Sequence, residues 1–282
     1  MTGLAAFNRF TDDLKEDDQL MPVLFIGHGS PMNGIEDNDF SKTWVQFGKE
    51  LPTPKAVLVI SAHWLTKGTH VTAMEFPKTI HDFGGFPPEL YQLQYPASGA
   101  PALAQEVLAL LQAAGVPAQG DAARPFDHGA WVPLMHLFPE ADVPVVQVAL
   151  PVGAGPAEVY ALGAALRSLR SQGVLVMGSG SMTHNLSEFF GGSTEPAPYV
   201  VEFSRWIEDA VVRGDMKALL NYRSQAPHAS RAHPTEDHFL PIFFALGAAG
   251  DDLHANYLSR EVMYSMLSMD AFALEPVAGR AG

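Results

Sequence analysis

Short apolar runs alternate along the chain with longer segments in which apolar residues recur at helical spacing. The short runs predict buried strands near residues 22–27, 56–62, 71–75, 143–150 and 174–178. The longer segments predict helices near residues 39–50, 101–114, 156–171, 199–213 and 235–248. Strands separated by stretches long enough for crossover helices are typical of parallel sheets covered on both faces. The pattern therefore predicts an α/β fold in which helices flank a central sheet that is largely parallel or mixed.

The same pattern predicts a single domain, because no internal repeat and no long Gly/Ser linker divides the chain. We expect this domain to span residues 21–275, after a polar N-terminal extension at 1–20 and before a C-terminal tail at 276–282. Within the domain, residues 262–274 alternate apolar and polar positions roughly, which predicts one further strand.

The 282 residues carry a formal net charge of −14 and no cysteine. The negative charge disfavours binding to nucleic acid or to an anionic lipid surface, although a small acidic substrate stays open. Without cysteine there is neither a disulfide nor a thiolate nucleophile, so any metal must bind nitrogen and oxygen ligands. No run of about 18 apolar residues could span a bilayer, and the charged N-terminus lacks the apolar core of a signal peptide. We therefore expect a cytoplasmic protein that binds neither nucleic acid nor membranes.

Histidines stand where apolar strands end. His28 follows the first predicted strand, and His63 follows the second. The last predicted strand continues through a Gly-Ser-Gly-Ser segment towards His184. In open α/β sheets ligands bind at the carboxyl ends of strands, and a divalent metal needs side chains from separate elements. We therefore interpret His28 and His63 as metal ligands.

A third candidate ligand, His238, precedes the strongly apolar segment Phe239–Leu246. The residues before it predict a helix start in which Thr235 is the cap and His238 lies in the first turn. There the positive end of the helix dipole favours the neutral imidazole, which is the form that binds a metal. Spacing alone does not eliminate His233 as a competitor. The remaining histidines without supporting context are expected to be ordinary structural residues: His70, His136, His228 and His254.

Two loops contain unusual combinations of aromatic, glycine and polar residues. The loop at 79–88 could close over an aromatic ligand, with Phe83 and Phe86 as apolar walls, or it could be a tight surface loop pinned by these side chains. The loop at 126–131 includes Asp127 and His128, which are neighbours in sequence but need not touch.

An ordered set of short motifs extends from about residue 21 to the C-terminal region. It consists of Gly27–Asn33, Ser61–Trp64, Thr79–Pro87, Asp127–Gly129, His184–Leu186, Pro234–His238 and Leu240–Pro241. Each motif is modest alone, but the order and the separations make the set specific. The chain resembles the LigB superfamily of class III extradiol ring-cleaving dioxygenases, in its 4,5-DOPA dioxygenase branch.

The resemblance implies one α/β domain that holds a single non-haem Fe(II) and admits a catechol and O2. By motif, His28, His63 and His238 would be the metal ligands, and His128 would be a catalytic histidine near the substrate. Protocatechuate-cleaving relatives have a glutamate as third ligand, whereas this chain has His238. Because an all-histidine set suits Zn(II) as well as Fe(II), we expect Fe(II) in catalysis at a site that Zn(II) can also occupy.

The resemblance offers two roles for His184. As a fourth metal ligand it would close the site in the manner of structural zinc, which leaves little room for a catechol and O2. As an acid/base it would take a catechol proton and later return one, which suits an imidazole that titrates near neutrality. We expect the acid/base role during turnover, and ligation in a resting zinc form stays compatible with it.

Polar residues within these motifs are candidates for substrate contacts: Ser30, His81, Asp82 and Asn185. The resemblance implies extradiol cleavage of L-DOPA to 4,5-seco-DOPA, or of a related catechol, with both atoms of O2 inserted. The expected partners are then a small-molecule catechol and O2, and a homo-oligomer stays open. Two alternatives are a zinc-dependent hydrolase on the same histidines and a metal-stabilised binding protein without turnover.

Overall fold

A mixed eight-stranded sheet forms the centre of the computed structural model, which describes residues 20–191, 195–251 and 253–276. The strands are β1 (Val23–Gly27), β2 (Ala56–Thr66), β3 (Thr69–Thr72), β4 (Ala118–Asp121), β5 (Val145–Pro151), β6 (Val174–Gly180), β7 (Leu253–Ser259), β8 (Val262–Met263), β9 (Leu267–Ser268) and β10 (Ala271–Pro276). The order in the sheet is β4-β3-β5-β2-β6-β1-β10-β7, and β8 pairs with β9 in a separate hairpin. β5, β2, β6 and β1 are parallel neighbours, whereas β10 and β7 pair antiparallel at one side. The sheet confirms the expected single-domain α/β class.

Helices lie on both faces of this sheet. They are α1 (Asp39–Glu50), α2 (Pro101–Ala113), α3 (His128–Leu137), α4 (Pro156–Ala165), α5 (Pro198–Val212), α6 (Met216–Leu220), α7 (Tyr222–Gln225), α8 (Ala229–Ala232) and α9 (Pro241–Ala249). Short 3₁₀ helices are Pro31–Gly34, Pro88–Gln92, Arg167–Gln172 and Leu186–Gly191. Among the described residues, no helix combines the length and the apolar character needed to cross a lipid bilayer.

The two faces of the sheet bury separate apolar clusters. Phe25 of β1 belongs to the cluster that contains Phe243 of α9. Its neighbour Leu24 belongs to the other cluster, with Trp44 of α1 and Trp131 of α3. Consecutive residues of a strand point to opposite faces, so a strand covered on both sides must be apolar throughout. This explains why the central strands appear in the sequence as continuous apolar runs.

The last helix starts later than the sequence predicts. It begins at Pro241, so the assignment of Thr235 as its cap is wrong. A proline at the first helical position lacks only an N–H group that would have no partner there. The preceding segment forms turns, in which the N–H of Phe239 donates to the carbonyl of Glu236. His238 therefore lies in a turn ahead of the helix, and the helix-dipole argument for its charge state does not hold.

The segment at 126–131, interpreted above as a loop, contains the start of α3. Asp127 is the N-cap of this helix, and its side chain accepts a hydrogen bond from the N–H of Ala130. Gly129 and Pro133 are poor helix formers and hide the helix in the sequence. The helix is nevertheless stable because almost every side chain in it is buried.

The strand predicted at 262–274 is interrupted. Its residues contribute to β8, β9 and the start of β10, because Tyr264 and Ser265 adopt left-handed φ values of 52° and 60°. The predicted boundaries of the folded domain stay predictions. The extension at 1–20, apart from Leu20, and the tail at 276–282, apart from Pro276, lie outside the described residues.

Candidate active site

Three histidines meet at the carboxyl edge of the sheet. The Nε2 atom of His63 lies 2.9 Å from Nε2 of His28 and 3.3 Å from Nε2 of His238. His28 and His238 are buried, and His63 is partly exposed. The structure therefore brings together the three residues that the sequence marks as ligands, while the competitor His233 is buried elsewhere with its Nε2 at 2.8 Å from the carbonyl of Met182.

The backbone explains why these side chains converge. The N–H of His28 donates to the carbonyl of Gly180, which holds the end of β1 beside the end of β6. In β2 the register with β5 shifts, since Ile60 is opposite Val148 but Leu65 is opposite Leu150. Such an irregularity re-aims side chains, and here the displaced segment contains His63.

Hydrogen bonds on the far side of two rings fix their orientation. The hydroxyl of Ser179 donates to the carbonyl of Gly129 at 2.5 Å, so its oxygen accepts from Nδ1–H of His28 at 3.0 Å. Nδ1 of His238 lies 2.5 Å from the carboxylate of Asp237. Burial alone would raise the pKa of Asp237, but hydrogen bonds from His238 and Thr235 outweigh burial and hold this pKa below its ordinary value. With Nδ1 as donor, each ring keeps the Nε2 lone pair for a metal.

The three nitrogen atoms fit one divalent ion. Nitrogen atoms about 2.1 Å from a shared ion are about 3.0 Å apart at a right angle and about 3.4 Å apart at a tetrahedral angle. The observed separations of 2.9 and 3.3 Å fall at these values. Burial, followed by the charges of neighbouring histidines, lowers the pKa of His28 and of His63 far below the ordinary value, so both rings are neutral and able to bind metal. The donor set suits Fe(II) and Zn(II) alike.

A carboxylate from the loop at 79–88 orients His128. Oδ1 of Asp82 lies 3.0 Å from both the backbone N and Nδ1 of His128, and Oδ2 lies 4.0 Å from Nδ1 of His63. Burial favours the neutral carboxyl, but the hydrogen bonds and charge of His128 outweigh it and lower the pKa of Asp82. The Asp–His pair at this site is therefore Asp82 with His128, which the sequence places 46 residues apart.

Asp127 has a different task, at a fully buried position under the site. Its carboxylate accepts hydrogen bonds from the Ser61 hydroxyl at 2.6 Å, from Gln147 at 2.9 Å and from Arg124 at 3.1 Å. The same Arg124 nitrogen donates to the carbonyl of His63 at 3.1 Å. One carboxylate thus joins the end of β2, which includes His63, to the start of α3.

His184 is adjacent to the three ligands but does not join their cluster. Its ring is stacked on that of His238 with the centroids 3.5 Å apart. Among the described residues, two groups have ligand atoms close enough to share an ion, and neither includes His184. They are His28 with His63 and His238, and His63 with Asp82 and His128. Burial, and then the charge of His238, lowers the pKa of His184 to about 3, in contrast to the titration near neutrality expected of an acid/base.

A cavity of about 610 Å³ opens over the cluster. His63, His128, His184 and His238 line its floor, and Ser30 lies on its wall. The volume is within the range of small-molecule sites, and an aromatic ring can reach the histidine nitrogen atoms. Phe83 and Phe86 line the cavity as well, in agreement with the first interpretation of the loop at 79–88.

Two proposed substrate contacts point elsewhere in this structure. Nε2 of His81 lies 3.0 Å from the carbonyl of Leu93, and the side-chain amide of Asn185 donates to the carbonyl of Arg231 at 2.8 Å. Neither residue lines the cavity, and Asp82 lies behind His128. Ser30 is the member of that set that reaches the cavity.

Sequence reasoning missed several residues that orient the ligands. Ser179 lies inside the Gly-Ser-Gly-Ser segment, where the serines could be identified as partners of a ligand only once the strand pairing was known. Asp237 directly precedes His238, and an acid beside a candidate ligand was an available signal for such a pair. Tyr264, which lines the mouth of the cavity, had no signal in the sequence.

Comparison with known proteins identifies the family of this chain. The family described as the catalytic LigB subunit of aromatic ring-opening dioxygenase matches residues 22–273. The 4,5-DOPA dioxygenase extradiol of Escherichia coli (strain K12) is 42% identical over 233 residues, which cover 81% of this chain and 85% of that protein. The protein of the same name from Beta vulgaris is 40% identical over 246 residues, which cover 86% and 92%. The crystal structure of an uncharacterized protein from Escherichia coli K12 superposes with a TM-score of 0.76 at 34% identity, over 90% of this chain and 99% of that one.

The chain belongs to the LigB family of aromatic ring-opening dioxygenases, which are metal-dependent enzymes. Its similarity to several proteins called 4,5-DOPA dioxygenase extradiol assigns it to that branch, so it is an extradiol ring-cleaving dioxygenase. The expected enzyme class is confirmed, and the zinc-hydrolase alternative is not favoured.

Proposed function

We propose that His28, His63 and His238 hold a single Fe(II) ion and that the enzyme opens a catechol ring with O2. The main support is the convergence of three Nε2 atoms beneath a cavity that admits one aromatic ring. Nε2 of His63 lies 2.9 Å from that of His28 and 3.3 Å from that of His238. When bound, Fe(II) supplies the redox chemistry that lets O2 react with a catechol, and Zn(II) lacks it.

The proton steps fall to two histidines that line the cavity without joining the ligand cluster. His184 lines the cavity beside the ligand cluster, so its ring can reach the proton of a catechol hydroxyl, whose own pKa a bound metal would lower. His128 donates Nδ1–H to Asp82, so its Nε2 remains available to accept a hydrogen bond from the substrate. Ser30 offers a hydroxyl on the wall. The candidate contacts His81, Asp82 and Asn185 would act through neighbouring residues.

The relatives' name makes L-DOPA the first substrate to test, with 4,5-seco-DOPA as the proposed product. The proposed resident metal is Fe(II), and Zn(II) is an occupant that supports no turnover. The cytoplasm stays the predicted compartment, and a homo-oligomer stays open.

The test is O2 uptake by metal-stripped protein that has been reconstituted without air, either with Fe(II) or with Zn(II), and then given L-DOPA. We expect O2 uptake in the iron sample alone, in an amount equimolar with a yellow ring-opened product. Labelled O2 should place both oxygen atoms in the product. Absence of uptake across a panel of catechols would refute the proposal, and turnover of esters with Zn(II) in the absence of O2 would revive the hydrolase.

A further inference from the structure

Among the described residues, the wall of the cavity above the histidines is apolar, although burial, and then the nearby carboxylate of Glu36, raises the pKa of the Tyr264 phenol. Among the described residues that line it there is no aspartate, glutamate, lysine or arginine. Apart from the histidines, its side-chain polar groups are the hydroxyls of Ser30 and Tyr264, and the Ser30 oxygen already accepts a hydrogen bond from the N–H of Met32 at 3.2 Å. The apolar wall is formed chiefly by Met32, Phe83, Phe86, Leu186, Phe189 and Met266.

An arginine close to the mouth is already paired. Asn185, next to Leu186 of the wall, donates to the backbone carbonyl of Arg231. The guanidinium of Arg231 binds the carboxylate of Glu188 through two nitrogen atoms, at 2.8 and 3.1 Å. The pair is neutral, and neither residue lines the cavity. A carboxylate on a substrate would have to compete with Glu188 for this cation.

Exposed apolar side chains form the rim of the cavity. Leu186 is 56% exposed and Phe189 is 42% exposed. The ring of Phe189 packs edge-on against Tyr264, with the centroids 5.0 Å apart. A group of exposed apolar side chains at the mouth of a cavity is typical of a binding surface.

The backbone holds Tyr264 at this rim in an unfavourable conformation. Tyr264 and the following Ser265 both have left-handed φ values, which residues with a Cβ adopt rarely. The carbonyl of Ser265 accepts a hydrogen bond from the N–H of Ala197 at 2.8 Å, which ties the turn to the start of α5. Strain of this kind persists where the surroundings impose it, and it is concentrated at ligand sites.

We propose that the cavity selects catechols whose ring substituent is uncharged and apolar, and that Leu186, Phe189 and Tyr264 bind this substituent. The inference rests on the proposed ring opening at the same site. It distinguishes a site that binds an apolar substituent from one that binds the amino-acid side chain of L-DOPA, because the described lining residues offer a carboxylate or an ammonium group no partner of opposite formal charge.

The first test compares kcat/KM for Fe(II)-reconstituted enzyme on catechols that differ in the charge of the substituent. They are 4-propylcatechol, 3-(3,4-dihydroxyphenyl)propionate, L-DOPA and dopamine. We expect 4-propylcatechol to exceed each of the charged compounds by about tenfold or more. From 4-methylcatechol to 4-propylcatechol, each added methylene should raise kcat/KM by about two- to fourfold.

The outcomes separate the two proposals. Ring opening with L-DOPA equal to or better than 4-propylcatechol overturns the inference and leaves the proposed function intact. A preference for dopamine overturns it as well, since it would indicate attraction to acidic groups. No ring opening of any catechol refutes the proposed function itself.

A variant tests the rim directly. Leu186→Arg places a cation at an exposed position on the rim, and it should raise the ratio of kcat/KM for the propionate to that for 4-propylcatechol by about tenfold. Val212→Arg is the matched control, because Val212 is 63% exposed at the far end of α5 and does not line the cavity. An unchanged ratio in Leu186→Arg, or an equal change in both variants, overturns the assignment of the rim.

Discussion

The imidazole of His184 lies parallel to that of His238, with the ring planes 3° apart and the centroids 3.5 Å apart. Rings stacked in this way place their nitrogen atoms side by side rather than around one point. Nε2 of His238 belongs to the cluster formed with His28 and His63, whereas His184 faces the cavity from the next layer. The arrangement favours the acid/base role for His184 over that of a fourth ligand.

We predict that His184→Ala keeps most of the bound Fe(II) and loses turnover by at least about 100-fold, because a proton acceptor is lost and the ligands are not. His63→Ala should lose the metal, since its Nε2 atom is central to the cluster. Metal content per protein and kcat, measured on both variants, distinguish an acid/base role of His184 from a ligand role. Equal loss of metal in the two proteins would assign His184 to the ligand set.

Asp82→Asn should lower kcat about 100-fold with little change in KM or in metal content. The amide keeps the shape of the side chain but removes the carboxylate charge that strengthens the two hydrogen bonds orienting His128. Asp39→Asn, on the exposed start of α1, is the control for a lost carboxylate and should behave as the wild type. A rise in KM with kcat unchanged would instead identify Asp82 as a substrate contact.

Asp127→Asn should destabilise the metal-free protein by about 3 kcal/mol, because an amide cannot accept all the buried hydrogen bonds that this carboxylate accepts. Ser61→Ala removes one of those bonds and should cost about 1 kcal/mol. Unfolding in urea gives both free energies. Because Arg124 also holds the carbonyl of His63, Asp127→Asn should weaken Fe(II) binding more than Ser61→Ala does. Equal metal affinity in the two variants would contradict the link to the site.

Stability should depend on the ionisation of Asp270, which is 2% exposed. Burial raises its pKa from 3.8 to about 7, against an opposing hydrogen bond from Ser268. Below about pH 3 the carboxyl is mostly protonated in both the folded and the unfolded chain. As the pH rises, the unfolded chain loses its proton first, so stability falls until the folded group ionises near pH 7.

The variant Asp270→Asn has no such proton. Relative to this variant, the wild-type free energy of unfolding should therefore fall by about 3 kcal/mol between pH 5 and pH 8. Urea unfolding of both metal-free proteins at the two pH values measures the change, and the contributions of the histidines cancel in the difference. A parallel pH dependence in the two proteins would mean that Asp270 titrates normally.

Local signals in the sequence were sufficient for the main strands and for the three histidines that converge, His28, His63 and His238. The apolar runs before His28 and His63 predict the strands, and the position of each histidine after its run predicts that it lies at the carboxyl edge of the sheet. Contacts between segments that are distant in sequence could not be predicted from local patterns. Asp82 and His128 are 46 residues apart, and Thr235 resembles a helix cap although tertiary packing starts the helix at Pro241. The strand register and the turn before α9 depend on partners that periodicity does not identify.

Glycines in β6 allow the turn that contains His238 to pack closely against the sheet. A Cβ at Gly180 would collide with the carbonyl oxygen of His238, and a Cβ at Gly178 would collide with that of Pro241. Between them Ser179 holds His28. The strand β6 therefore fixes the backbone at His238, because its glycines have no Cβ. It also fixes the ring of His28 through the hydroxyl of Ser179. For protein engineering, the three converging histidines and this strand form one unit, and neither can be redesigned or transplanted without the other.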